Sequence, residues 1–240
     1  MKQNIFFDRQ RFEVLKDWCK RNNVTPQLSK IRLSRELRDG VGAYEFLLDD
    51  KKMDLVAGDV ALNRNDLFVP MSIGLFLQVD EKTPSGKAPL YTYPLGKNRQ
   101  LRYFKKVEDV EAIYNGLMKI EMDTTVVNQS FPCEVFRWVP ETQPVMMLDS
   151  SNKEQTTGLL PEFDTSKSMF PLAPEYYFQG TIDTKISVLF NGQNSDFTVV
   201  EPANDSDSST HKARLVLLMT GVLVKNAADK AIDVSQLMNR

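Results

Sequence analysis

Residues 214–225 read RLVLLMTGVLVK, apolar at odd and even positions alike, with Thr220 as the only interruption between Leu215–Met219 and Gly221–Val224. A strand that is apolar on both faces needs cover on both, which places it centrally in a packed sandwich or beneath a second layer. As a helix the run would fall well short of the ~20 apolar residues that cross a bilayer. This one segment therefore asks for a layered, β-rich body.

The chain leading up to it fits that demand. From about residue 65 the apolar period changes from three-to-four to two, with Met71, Ile73, Leu75, Leu77 and Val79 on one face. A polar turn, KTPSGK at 82–87, closes that strand, and residues 90–94 read as a short edge strand ended by Pro94. Val110 and Ile113 mark a short helix over 107–114, ended by Gly116. Met118, Ile120 and Met122 then alternate with Lys119, Glu121 and Asp123, the pattern of a half-buried strand. Residues 131–139 predict another. Residues 141–175 hold four prolines and many Ser, Thr and Asp, which reads as a long irregular excursion with a short strand at 146–148. Strands follow at 176–180 and 185–190, and the turn Asn191-Gly-Gln-Asn predicts a return through 197–200. The tail, 227–240, reads as a short amphipathic segment.

The N-terminal part has a different character. Residues 1–40 carry ten Lys/Arg against five Asp/Glu, a net +5, which leaves −7 for the remainder of a chain whose total is −2. Phe12, Leu15, Trp18 and Cys19 recur at helical spacing over 9–22, with Asp8 as the expected N-cap and Asn22-Asn23 and Pro26 as the stop. A second short helix is expected over 33–38, ended by Gly40. Phe6, Phe7, Phe12, Leu15 and Trp18 form an apolar stripe too costly to leave in water, so this arm must dock, either on a neighbouring subunit or on its own body. Arg32, Arg35 and Arg38 are the basic residues that would meet a partner, either nucleic acid or an acidic protein surface; the plainer alternative is a solvated basic face. The expected organisation is α+β, mainly β. A helical N-terminal arm and linker spans 1–64, and a β-sandwich or jelly-roll-like body with long loops spans 65–240.

The inventory of reactive side chains is small: one His and two Cys. Cys19, Cys133 and His211 are one ligand short of a structural zinc site and lack its spacing. Two cysteines in 240 residues fit a reduced, buried pair and synthesis in a reducing cytoplasm. Residues 1–12 have no apolar core before their charges, unlike a secretory signal. Ser85-Gly86-Lys87 imitates the end of a phosphate loop, but Glu81 stands where a glycine is needed. Asn204, Asp205 and Asp207 could offer oxygens to calcium, yet the glycine and distal Glu of a calcium loop are missing. Glu108, Asp109 and Glu111 complement a helix dipole. A hydrolase triad on His211 and a sugar platform on Trp138 or Tyr176–Phe178 are the remaining chemical readings, the latter implying a carbohydrate-binding, adhesin-like sandwich. No cofactor, metal or enzymatic activity is expected.

Four patches carry a resemblance: NDLFVPMSIGLFL at 65–77, YNGLMKI at 114–120, LAPEYYFQG at 172–180 and RLVLLMTGVLV at 214–224. They resemble bacteriophage virion structural proteins, namely jelly-roll and auxiliary capsid proteins of phages of Bacteroidetes-type hosts, the crAss-like group included. The resemblance implies a β-rich subunit repeated in a shell, made in the host cytoplasm and located in the virion. Its partners would be copies of itself and other virion proteins, with contact to packaged nucleic acid through the basic arm and no membrane insertion. At 240 residues one jelly roll with elaborations fits better than two.

Overall fold

The computed structural model describes the chain apart from residues 1, 50, 52–53, 82, 85, 94–102, 124, 139–144, 149–153, 158–167, 173–176, 202–205, 208–210 and 231–240. The protein is mainly β, and its two principal sheets are antiparallel. The first has the order β1 (Pro26–Glu36), β14 (His211–Val224), β3 (Leu67–Glu81), β10 (Phe178–Gln179), with β9 (Phe170–Pro171) also paired to β3. The second has the order β2 (Ala43–Leu47), β11 (Thr184–Leu189), β5 (Leu117–Met122), β6 (Thr125–Pro132). Small ladders join β4 (Tyr103–Phe104), β12 (Val199–Glu201) and β13 (Ser206–Asp207), and β7 (Val145–Leu148) pairs with β8 (Glu154–Thr157).

As its composition demands, β14 is central, flanked by β1 and β3 over its length. Ile31 and Leu33 of β1, Leu75 and Leu77 of β3, and Leu215, Leu217 and Met219 of β14 point into one core. Phe46, Ile186, Val188, Met118 and Ile120 of the second sheet share that core. Helix α2 (Val107–Tyr114) adds Val110, Ile113 and the fully buried Tyr114, whose hydroxyl donates to the Leu75 carbonyl at 3.3 Å.

At the C-terminal end of β14 the opposite face is covered by helix α1 (Lys2–Arg21). Leu15, Trp18 and Cys19 pack on Leu67, Val69, Val222 and Val224. A bulge makes this possible. Thr220 pairs with Ser72 but Gly221 pairs with Pro70, so Met71 is an extra residue and the facing of β3 changes across it. Phe68 before the bulge and Ile73 after it therefore both face the common core, while Leu67 and Val69 face α1. A side chain at 221 would collide with the Val69 carbonyl, which accounts for glycine at the bulge.

Several expectations need correction. In place of the helix expected over 33–38, residues 33–36 are the end of β1 and 37–38 follow it: Ile31, Leu33 and Leu37 reach the core at a period of two, and pairing with β14 overrides local preference. The division at 64/65 therefore runs through both sheets, because β1 and β2 on its N-terminal side pair with β14 and β11. Asp8 is inside α1 and is not its N-cap. The Asn22-Asn23 stop holds, with Asn23 in the left-handed region at φ 53° and the Asn22 side-chain amide donating to the Trp18 carbonyl at 2.9 Å. The strand expected over 131–139 ends at Pro132, and Cys133–Phe136 is a 3-10 turn that buries Cys133 and Phe136. Residues 191–194 turn the chain without making a hairpin, since β12 pairs with β4 and β13 rather than with β11. Tail residues 231–240 lie outside the described residues.

Candidate functional site

The residues expected to contact a partner divide into used and unused. Phe6 and Phe7 lie on α1, and their side chains lie outside the described residues. Phe12 is half-buried against the α1–sheet cluster, and Leu15 and Trp18 are buried within it. The apolar surface of Leu15 and Trp18 is consumed inside this chain, so this part of the stripe docks on its own sheet and is not left for a neighbour.

Arg32 is also internal. It donates from Nη1 to Asp59 Oδ1 at 3.0 Å and from Nη2 to Gln78 Oε1 at 2.7 Å, with both members of the ion pair buried. Asp59 Oδ2 further accepts from Ser34 N at 3.2 Å and Ser34 Oγ at 3.0 Å. Gln78 passes the network on to the Ala88 carbonyl at 2.7 Å. Above the pair, Gly58 (φ 90°) lies directly against Gly86 (φ 68°), where a side chain on either would strike the other's backbone. The Ser85-Gly86-Lys87 motif thus contributes a glycine to a loop contact; Ser85 itself lies outside the described residues.

Arg35 and Arg38 stand at the surface, where β1 leaves the sheet. Arg35 Nε donates to the Glu45 carbonyl at 2.7 Å, and the Tyr44 hydroxyl accepts from the Arg38 backbone N–H at 2.8 Å. They line a cleft of about 420 Å³ together with Tyr44, Glu36 and Arg214. Lys212 donates to Glu36 at 2.7 Å, and that bond holds the Glu36 carboxyl below the usual range. A second cleft of about 600 Å³ lies on the other side of Glu36 and Arg38, between them, Phe197 and the start of β14 at His211.

Sequence reasoning missed one surface. At one end of the second sheet Ala43 pairs with Leu189, Leu189 with Leu117, and Leu117 with Pro132. All four are exposed, Leu189 at 43% and Leu117 at 46%. They form an apolar row across all four strands. The neighbouring rows are charged: Lys185 bridges Glu45 at 3.4 Å and Glu121 at 3.1 Å, and Lys119 meets Glu121 at 2.9 Å. The signal in the sequence is parity, because Leu117 sits in register with Lys119 and Glu121 where a polar residue belongs.

Comparison with known protein families, characterised proteins and solved structures finds no match. The site must be read from its own geometry.

Both thiols are buried, and desolvation pushes Cys19 up to about 11 and Cys133 up to about 12, which makes neither a ready nucleophile. His211 is buried at the first position of β14, with Glu81 opposite it on β3. Asp109 accepts from the Asp196 N–H at 2.9 Å, and Glu111 pairs with Arg137 at 2.6 Å, so these acids tie α2 to its surroundings. No group of three His, Cys, Asp or Glu suited to a metal occurs among the described residues. Of the expected calcium-like loop, Asn204 and Asp205 lie outside the described residues and Asp207 belongs to β13. Phe178 is fully buried, Tyr177 packs beside α1, and Tyr176 lies outside the described residues, so Phe178 offers no ring to a sugar. Trp138 is half-buried, and its carbonyl accepts from the Thr92 hydroxyl at 2.5 Å. No helix among the described residues is long and apolar enough to cross a membrane.

Proposed function

We propose that this chain is a virion structural protein, a capsid-shell or auxiliary capsid subunit that acts through protein–protein contacts. In this reading the two sheets form a jelly-roll-like sandwich, the protein folds in the host cytoplasm, and its partners are copies of itself and other virion proteins. Lys30 and Arg35, exposed or half-exposed on β1, and the exposed Arg38 just past it would be the basic residues nearest any packaged nucleic acid. The observation that carries the reading is the row Ala43–Leu189–Leu117–Pro132. Exposed leucines paired across strands and rimmed by charge have the anatomy of an interface, an apolar centre inside a polar border. Scattered exposed leucines are ordinary; a contiguous row is not. The four phage-like sequence patches supply the kind of assembly.

The test is to place charge in the row. A Leu117→Lys and Leu189→Glu double variant faces solvent at both positions, so its melting transition should match the parent. Co-assembly with the neighbouring virion proteins, followed by light scattering and electron microscopy, should be lost. A parent protein that stays monomeric and never enters particles overturns the reading, as does a double variant that assembles normally.

A further inference from the structure

Arg214 is the one buried polar group among the described residues whose side chain leaves an atom unsatisfied. It lies on β14 opposite Glu36 of β1 and Gln78 of β3, is only 6% exposed, and its Nε is shut off from solvent without a hydrogen-bond partner. A guanidinium keeps its charge, so it cannot relieve such burial by losing a proton. An unmet donor on a charged group is costly. The nearby carboxylate, Glu36, is already engaged by Lys212 at 2.7 Å. The other network on this sheet face meets its needs internally, through Asp59 and Gln78 around Arg32, and leaves Arg214 out.

Arg214 lines the 420 Å³ cleft that Arg35 and Arg38 also line. Arg35 spends its Nε on the Glu45 carbonyl, and the Arg38 side chain is exposed. Three arginines, one from β14, one from the end of β1 and one just past it, thus line one concave space with Tyr44 beside it. Of the acids in its wall, Glu36 is held by Lys212 and also faces Arg214 and Arg38, and the Glu45 carboxylate is held by Lys185 at 3.4 Å, so the two lysines offset these two acids and the arginine charge is only partly met. Asp54, in the same wall and exposed, limits the excess of positive charge. We propose that this cleft binds a single oxyanion group, a carboxylate or a phosphate, with the Arg214 guanidinium in its wall and Arg35 and Arg38 beside it. The planar fork of arginine suits paired oxygens of that class. A long polyanion fits poorly, because Asp39 and Asp54 are exposed near Arg35 and Arg38 and would repel a continuous phosphate chain.

The experiment is a titration of the full chain, read by the 15N resonances of the arginine Nε groups and by the melting temperature. Inorganic phosphate, acetate and a single-stranded oligonucleotide are compared with chloride at matched ionic strength. Saturable shifts are expected with phosphate or acetate, and the stronger of the two identifies the source chemistry. The melting temperature should rise with ligand, since binding to the folded state alone stabilises it. Arg38→Ala, an exposed change, should weaken the binding at least tenfold, and Arg214→Lys should do the same by keeping charge while losing the fork. If Arg214→Lys does not fold, the Arg35→Ala and Arg38→Ala double variant carries the test alone. Shifts that chloride reproduces, binding by the oligonucleotide only, or saturable phosphate binding that survives the double variant would each overturn the proposal.

Discussion

Arg32 carries the same charge as Arg35 and Arg38 and sits within one short segment of the sequence with them, yet it alone is buried. Its facing on β1 decides this, for it lies under the loop that brings Asp59 over the sheet, while Arg35 and Arg38 lie where the strand emerges. The sequence shows the charges but not the loop, and Asp59, twenty-seven residues away, has no spacing that would announce it as a partner. The pair makes a sharp prediction. Asp59→Ala leaves the Arg32 guanidinium and the Ser34 donors without their acceptor in a buried place, and should cost about 3–5 kcal/mol. Replacing both members, Arg32→Met with Asp59→Ala, should cost less than the two single changes together, because no charge is then stranded. Urea melts of the three variants check this; additive losses would mean that the two residues act separately.

Helix α1 and strand β1 show what was legible in the elements and why the rest was not. The apolar spacing of Phe12, Leu15, Trp18 and Cys19 suits a helix, and all four lie on α1. What it docks on could not be read, because the partner surface is split between two strands far apart in the chain, Leu67 and Val69 on one and Val222 and Val224 on the other. In β1 and just past it, Leu33 and Leu37 are four apart, which suits a helix, while Ile31, Leu33 and Leu37 also keep a period of two. Only pairing with β14 selects between them. The row through Leu117 and Leu189 was hidden for the same reason: cross-strand neighbours are not sequence neighbours. Docking of α1 can be followed at Cys19, which is 1% exposed on the packed face of the helix and whose thiol is pushed up to about 11 by burial. In native protein at pH 8 both thiols should resist alkylation. Trp18→Ala, which removes a large buried side chain at a cost of about 3–5 kcal/mol, should release Cys19 first. Peptide mapping by mass spectrometry should then find Cys19 labelled many times faster than Cys133, which lies in the common core. Equal labelling of the two would mean that α1 is not a separately opening unit.

In the whole molecule the two ends of the described chain meet in one sheet. Pro26 is registered with Val224 and Glu36 with Arg214, so β14 joins β1 to β3 and neither of those two pairs directly with the other. Closing so long a loop carries an entropic cost before its contacts form, which places folding in the slow range of milliseconds to seconds usual for β proteins of non-local pairing. It also ranks the two terminal elements. Helix α1 covers one face of one end of the sheet, whereas β14 supplies Leu215, Leu217 and Met219 to the common core and Val222 and Val224 to the helix cluster. A chain ending at residue 210 would leave β1 and β3 without their shared partner, and the second sheet would face a core with its centre removed. It should show no cooperative urea transition and should aggregate through its unpaired strand edges. A chain beginning at residue 25 keeps every strand of both sheets and should retain a cooperative transition, shifted to lower urea by the exposure of Leu67, Val69, Val222 and Val224. Near-UV circular dichroism and urea melts of the two truncations separate the roles. A cooperative transition in the chain lacking β14, or none in the chain lacking α1, would show that the weight of the fold lies elsewhere than in the doubly apolar strand.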